Sequence, residues 1–517
     1  ENDAKIGAMG EKGAAFIRQN FSQQRLRDHV GQAYGRIVGR PMTPQSDVGN
    51  AKPIDIAAQT IGAAVPCTIV MPVYNAPEEV RACIASVIKH TNLKDNQLLV
   101  IDDGSPDPAV GPVLDSFAGT PGLTIMRSPR NLGYTKTINL GIGQAAGRDV
   151  IGLAVGEPDF ETPPHVKEAA IRAIHDGHTR YTQVDGIPEL KEAVAEKFCR
   201  ENGLDVSAAN ISVGTGGKQV LFNALMATVQ AGDEVIIPAP YWVSFAGITE
   251  VAGGTPVFLA SGFADGLKLS PERLEAAITP RSRWVIINSP SNPTGMGYSA
   301  DELRAFADVI RRHPNLMVIS DDLYEHLNYD GFEFNTIAGL APDLADRVLT
   351  LNGVSKSYCM TGWRIGFAAA PVPLVKAMAK LQSQSTSSPG SIAQHAAVAA
   401  LNGPTGFIAE NNAAFARRRA MVVAALNAMD GVSCPAPDGA FYVFADISGL
   451  IGKARPDGKV IASDSDFAAA LLELAEVAVV PGVAFGLSPA FRLSFAAADD
   501  VLQTALGRIA EVVASLR

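Results

Sequence analysis

The stretch Asn210–Val229, NISVGTGGKQVLFNALMATV, constrains this chain more than any other. It reads as an apolar strand, a glycine turn and a helix, so the strand must feed directly into the helix through the glycines. That order sets the backbone N–H groups of Gly217 and Lys218 at a helix N-terminus, which attracts an anion. The same alternation occurs upstream, where CTIVMPVY, PEEVRACIASVIKHT and NQLLVIDDGS within residues 67–105 read as strand, helix and strand. Further on, the apolar run LMVIS delivers Asp321 at a strand's C-terminal end, the side on which α/β proteins gather ligands. An α/β fold follows.

Length and charge narrow the partners. The 517 residues allow two to four domains of roughly 150 residues each. A net charge of -10 gives no electrostatic reason to bind nucleic acid or anionic lipid, so a small molecule is the expected partner. The five cysteines are scattered and free of C-x-x-C pairing, which indicates neither a disulfide framework nor a metal site and fits a reducing cytoplasm. The opening ENDAKIGAMGEKGAAF lacks the order of a signal peptide, and the early apolar run IGAAVPCTIVMPVY is too short and proline-broken to span a bilayer. No membrane association is expected.

One lysine stands out. Lys356, in NGVSKSYCMTGWRIGF, lies between two serines among small, aromatic and glycine residues with almost no other charge nearby. Such surroundings desolvate an amine and bring its pKa toward neutrality, as nucleophilic and proton-shuttling lysines require.

Two families meet near residue 150. TIVMPVYNAPEEVRACIASVI, LLVIDDGSPD and RNLGYTKTINLGIGQAAGRDVI resemble the nucleotide-sugar-binding half of family-2 glycosyltransferases. The resemblance implies a partial GT-A-like segment over residues 66–150 in which Asp103, Asn131 and Gly133 line a nucleotide cleft. After GRDVI that family continues into a metal-binding Asp-x-Asp motif, whereas this chain continues as GLAVGEPDF. Within the segment, GIGQAAG has the spacing G-x-G-x-x-x-G and follows a helical stretch, so it is read as small residues ending a helix and not as a dinucleotide loop. Residues 1–65 read as a helical and linker region with no recognisable chemistry.

From residue 152 onward the motifs resemble, in order, those of class I pyridoxal-phosphate aminotransferases, and specifically the bacterial aspartate aminotransferase subgroup. The resemblance implies a fold-type-I transferase: a large domain with a mixed, mostly parallel seven-stranded sheet and a smaller C-terminal α/β domain. The expected bounds are 151–517 for the whole, about 175–415 for the large part and about 416–517 for the small. Lys356 then holds the aldehyde of pyridoxal 5'-phosphate. Asp321 keeps the pyridine nitrogen protonated, while Tyr324 and Asn292 donate to the phenolate oxygen. Asp322 stands where the family more often has Glu, without touching the role of Asp321. Gly217, Lys218, Ser355 and Arg364 cradle the phosphate, and Trp242 stacks on the ring. Tyr181 reaches the phosphate of a neighbouring subunit, which implies a homodimer with shared active sites. For substrate, Arg492 takes the α-carboxylate as a bidentate fork beside Gly156, and Lys218 meets a distal carboxylate, favouring aspartate or glutamate as donor. The run FARRRAM, His326 and His395 are assigned surface or packing places and no role.

The expected activity is pyridoxal-phosphate-dependent transfer of an amino group between aspartate or glutamate and a 2-oxo acid. Two alternatives remain at this stage. One is a nucleotide-sugar glycosyltransferase using the N-terminal segment. The other is a cofactor-binding fusion with impaired catalysis, because the substrate-closing arm that the family carries before GEPDF is replaced here.

Overall fold

A computed structural model describes residues 68–74, 77–91, 93, 96–128 and 150–517. The helical stretch expected near the N-terminus, the GIGQAAG run, Asn131 and Gly133 lie outside these residues.

The first predicted unit forms as read. Strands β1 (Thr68–Val73), β2 (Gln97–Asp102) and β3 (Leu123–Arg127) make an all-parallel sheet in the order β1-β2-β3, with the helix Pro77–His90 as the first crossover. Apolar alternation explains it. Leu98 and Val100 of β2 pack with Ile84, Val110 and Leu114 into a small core of their own. Asp102 and Asp103 stand at the C-terminal end of β2. There Asp103 N–H donates to Val73 O (2.8 Å), and Asp102 Oδ1 accepts from Ser105 N–H (3.0 Å).

After β4 (Ile151–Gly152) comes the large sheet. It comprises β5 (Ile211–Thr215), β6 (Glu234–Ala239), β7 (Thr255–Ala260), β8 (Ser282–Asn288), β9 (Met317–Asp321), β10 (Val348–Gly353) and β11 (Ile365–Ala369). Their order is β5-β11-β10-β9-β8-β6-β7, and only β11 runs against its neighbours. The expected mixed, mostly parallel seven-stranded sheet is therefore present. Its strands are apolar on both faces because helices cover both. Ile236, Val285 and Val318 face a core with Leu190, Phe198, Phe306 and Ala396, whereas Val235, Ile237, Trp284 and Ile286 face another with Val220, Leu221 and Met378. The strand period of two thus sorts neighbouring residues into opposite cores.

A second body follows. Strands β12 (Tyr442–Asp446), β14 (Val480–Pro481) and β15 (Ala490–Ser494) form an antiparallel sheet, β12-β15-β14, against the helices Gly406–Asn427 and Asp499–Ser515. The β4 strand joins this body, pairing in parallel with β13 (Val477–Ala478), and Leu153 enters its core. The residue numbers expected to divide large from small, 415 and 416, fall inside the continuous helix Gly406–Asn427. Among the described residues no helix is long and apolar enough to cross a membrane.

Candidate active site

A cavity of about 640 Å³ opens where β5, β8, β9 and β10 end, with Tyr442 of β12 and Arg492 of β15 also on its wall. The sequence-predicted residues Gly156, Gly217, Lys218, Trp242, Asn292, Asp321, Tyr324, Ser355, Lys356, Arg364 and Arg492 all line it. Tyr181 does not. Its side chain is 93% exposed on the surface of the single chain.

The anion-binding end is built from glycine. Gly216, at φ +80°, caps the helix Gly217–Thr228, and a Cβ on it would overlap the Arg364 guanidinium. Arg364 is itself left-handed at φ +58°, an uncommon state for a residue with a side chain, and its Nη1 donates to Thr361 O at 2.9 Å. Lys218 joins it. Lys218 Nζ lies 5.0 Å from the Trp242 ring centroid, and burial first, then Arg364, lowers the lysine's pKa from its usual value. A helix N-terminus, two cations and the buried Ser355 thus face one end of the cavity.

Lys356 leaves β10 through the tight turn Ser355–Ser357 and donates from Nζ to Gly156 O at 2.5 Å. Burial draws its pKa down to about 8; Glu157 opposes this, and the Arg364 and Arg492 charges add to it. Asp321, buried at the end of β9, is pushed up to about 7 by burial, against a backbone hydrogen bond from Leu323 N–H and the Lys356 charge. A cationic ring nitrogen placed against that carboxyl would hold it ionised. The neighbouring Asp322 does not line the cavity; it accepts from Ser320 Oγ at 2.6 Å.

The opposite wall belongs to Arg492, which is buried. Its Nη1 donates to Asn292 Oδ1 at 2.8 Å, its Nη2 to Ala154 O, and its guanidinium lies 4.6 Å from the Tyr442 ring centroid and 4.8 Å from that of Phe485. With Asn292 Oδ1 committed to Arg492, its Nδ2 is the group left to donate elsewhere. Asn292 N–H donates to Asn288 Oδ1 (2.8 Å), and Asn288 Nδ2 donates to Asp321 O (2.9 Å), so one asparagine ties the two strand ends together. Tyr324 and Tyr442 share a hydroxyl hydrogen bond of 2.9 Å. The Tyr442 hydroxyl occupies the space a Cβ on Gly156 would need, which explains the glycine. Tyr442, Asn288 and Glu157 were missed from the sequence. Tyr442 and Glu157 pair across more than a hundred residues and Asn288 is an unremarkable Asn, and although Glu157 lies in GEPDF nothing in that motif announces its partner Thr361.

This donor set suits pyridoxal phosphate. Amides and cations face one end for a phosphate, a buried carboxyl stands at a strand end for a ring nitrogen, and an amine of lowered pKa is available for an aldehyde.

Elsewhere, among the described residues, Glu201, Glu325 and His326 could gather a metal, but the buried Lys197 ammonium lies 3.6 Å from Glu201 and ion-pairs with Glu325. Two arginines of FARRRAM are buried and so take packing places: Arg418 is bonded to Asp159 and Asp499, and Arg419 ion-pairs through Nη2 with Asp330.

Comparison with known proteins agrees with this geometry. Residues 148–509 match the family described as aminotransferase class I and II, and residues 68–189 match glycosyl transferase family 2. An aspartate/prephenate aminotransferase of Cereibacter sphaeroides is 61% identical over 372 residues, covering 72% of this chain and 93% of the relative. An aspartate aminotransferase of Rhizobium meliloti is 55% identical over 384 residues, covering 74% of this chain and 94% of the relative. The crystal structure of the aspartate aminotransferase from Rhizobium meliloti superposes with a TM-score of 0.71 at 55% identity, over 73% of this chain and 96% of that one. From residue 148 onward, the chain belongs to the class I and II aminotransferase family, whose members move amino groups with pyridoxal phosphate.

Proposed function

We propose that this aminotransferase takes its amino group from aspartate or glutamate. The observation that carries the reading is the presence of two cations, Arg492 and Lys218, in the cavity that also holds Lys356. A dicarboxylic donor would find a fork for its α-carboxylate in Arg492 and a point charge for its distal carboxylate in Lys218. Tyr442 and Phe485 flank the Arg492 guanidinium and limit its rotation. When bound, pyridoxal phosphate supplies the electron sink that makes the substrate α-proton removable.

The protein's own part is placement and proton control. Asp321 would keep the ring nitrogen protonated, and Tyr324 and Asn292 Nδ2 would donate to the phenolate oxygen. The backbone amides of Gly217 and Lys218, with Ser355 and Arg364, would hold the phosphate, and Trp242 would stack on the ring. Lys356, drawn to about 8, is neutral for a useful fraction of the time near neutral pH, as a base and nucleophile must be. Tyr181 is exposed and does not line its own chain's cavity, and we assign it to the phosphate of a second copy in a homodimer. The cysteines Cys83, Cys199, Cys359 and Cys434 are free, which supports a reducing cytoplasmic setting. The segment 66–150 retains Asp103 near its strand end, but the motif that holds a metal and diphosphate in glycosyltransferases does not follow it. We read it as transferring no sugar.

The test is donor preference. With added cofactor and 2-oxoglutarate, aspartate should be consumed at least tenfold more efficiently than alanine. Equal efficiency would remove the dicarboxylate reading while leaving the family intact.

A further inference from the structure

Residues 153–162 form a strap bonded along its length to groups of the active site. Ser494 N–H donates to Leu153 O (2.8 Å), Arg492 Nη2 donates to Ala154 O, and Lys356 Nζ donates to Gly156 O (2.5 Å). Thr361 Oγ1 donates to Glu157, Trp363 Nε1 donates to Thr162 Oγ1 (3.0 Å), and Thr162 Oγ1 donates to Cys359 O (2.6 Å). The strap thus touches both Lys356, assigned to the cofactor, and Arg492, assigned to the substrate carboxylate. Its charged anchor outside the cavity is Arg418.

Arg418 is 6% exposed on the helix Gly406–Asn427. Nη1 and Nη2 donate to the two oxygens of Asp159 at 2.8 and 2.9 Å, while Nε donates to Asp499 Oδ1 at 2.8 Å, at the start of the last helix. Its guanidinium lies 5.1 Å from the Phe160 ring centroid and 5.8 Å from that of Phe415. A buried arginine is costly unless such a fork satisfies it, and lysine cannot reproduce the two parallel bonds. Asp159 lies three residues from Gly156, and Pro158 between them fixes one backbone angle. The short stiff link leaves Gly156 little freedom once Asp159 is clamped.

We propose that Arg418 is a positioning residue for the reaction: its fork on Asp159 fixes the strap that presents Ala154 O to Arg492 and Gly156 O to Lys356. This rests on the assignment of Arg492 and Lys356 to substrate and cofactor. Fixing the strap pre-orients the Arg492 guanidinium before a carboxylate arrives and sets the acceptor that the Lys356 ammonium sees.

The test compares Asp159→Asn and Arg418→Lys with the unaltered protein, using Asp499→Asn as a control that spares the fork. Maleate, a dicarboxylate that is not turned over, is titrated into the holoenzyme and followed by the cofactor's absorbance. The pH midpoint for capture of pyridoxal phosphate by the apoenzyme and the thermal midpoint are measured alongside. Both fork variants should weaken maleate about tenfold, equivalent to about 1.4 kcal/mol. Both should lower the capture midpoint, because a displaced Gly156 carbonyl stabilises the ammonium less. Asp499→Asn should stay within about twofold for maleate. If Arg418→Lys does not fold, Asp159→Asn decides alone. Unchanged maleate affinity and capture midpoint, with only the thermal midpoint lowered, would overturn the proposal and leave Arg418 as packing. Undiminished maleate affinity in Arg492→Lys would instead overturn the assignment of Arg492, a separate failure.

Discussion

Replacing Lys356 by methionine should make the cofactor-free protein more stable at neutral pH, although it removes the lysine we propose as the cofactor's anchor. The lysine's pKa falls from the usual 10.5 to about 8, chiefly through burial. At about 1.36 kcal/mol per pH unit, keeping that ammonium in the folded chain costs about 3 kcal/mol at pH 7. Methionine has similar length and no charge, but leaves Gly156 O without its charged 2.5 Å partner, a loss of about 1.5 kcal/mol at the low end for such a bond. A net gain of about 1.5 kcal/mol remains. The sign follows from linkage. The folded pKa lies below the unfolded one, so the unfolded chain binds more protons between about 8 and 10.5, and the lysine protein gains stability as pH rises through that window. The advantage of methionine should therefore be full at pH 7 and vanish near pH 10.5. Urea unfolding of both apoproteins at the two pH values, followed by circular dichroism, measures it. A methionine variant less stable at pH 7, or a gain that does not change with pH, would refute the burial argument for Lys356.

Three further outcomes follow from the same geometry. Lys218→Ala should reduce kcat/KM for aspartate about 10- to 150-fold more than for alanine, from a lost charge-assisted bond of about 1.5–3 kcal/mol, and equal losses would confine Lys218 to the phosphate. Gly156→Ala should cost about 1–3 kcal/mol of stability and disturb the Tyr324–Tyr442 bond, because its Cβ meets the Tyr442 hydroxyl; unchanged thermal midpoint and aspartate kinetics would contradict the packing. Incubation with a uridine-diphosphate sugar and manganese should release no nucleoside diphosphate, and a release abolished by Asp103→Ala but not by Lys356→Ala would show that the N-terminal segment has been misread.

Much of this site could be read from the sequence because its parts sit at strand ends and glycine turns, where local pattern and chemistry coincide. Asp321 closes the apolar run of β9, and Gly217 opens a helix directly after β5. What could not be read lies in distant pairings. The bond between Tyr324 and Tyr442 spans 118 residues and that between Arg418 and Asp159 spans 259, and neither leaves a mark on the sequence around its members. FARRRAM reads as surface or packing residues without a role, since only the fold brings Asp159, Asp499 and Asp330 to it. Likewise nothing in the two residues of β4 announces that they leave the glycosyltransferase-like segment to pair with β13, more than 320 positions later.

The most direct measurement for the account is to add pyridoxal phosphate, reduce with borohydride and map the modified lysine by mass spectrometry. The account predicts a single covalent adduct on Lys356, and its disappearance when aspartate is added before the reduction. An adduct on any other lysine, or one on Lys356 that aspartate does not diminish, would contradict it.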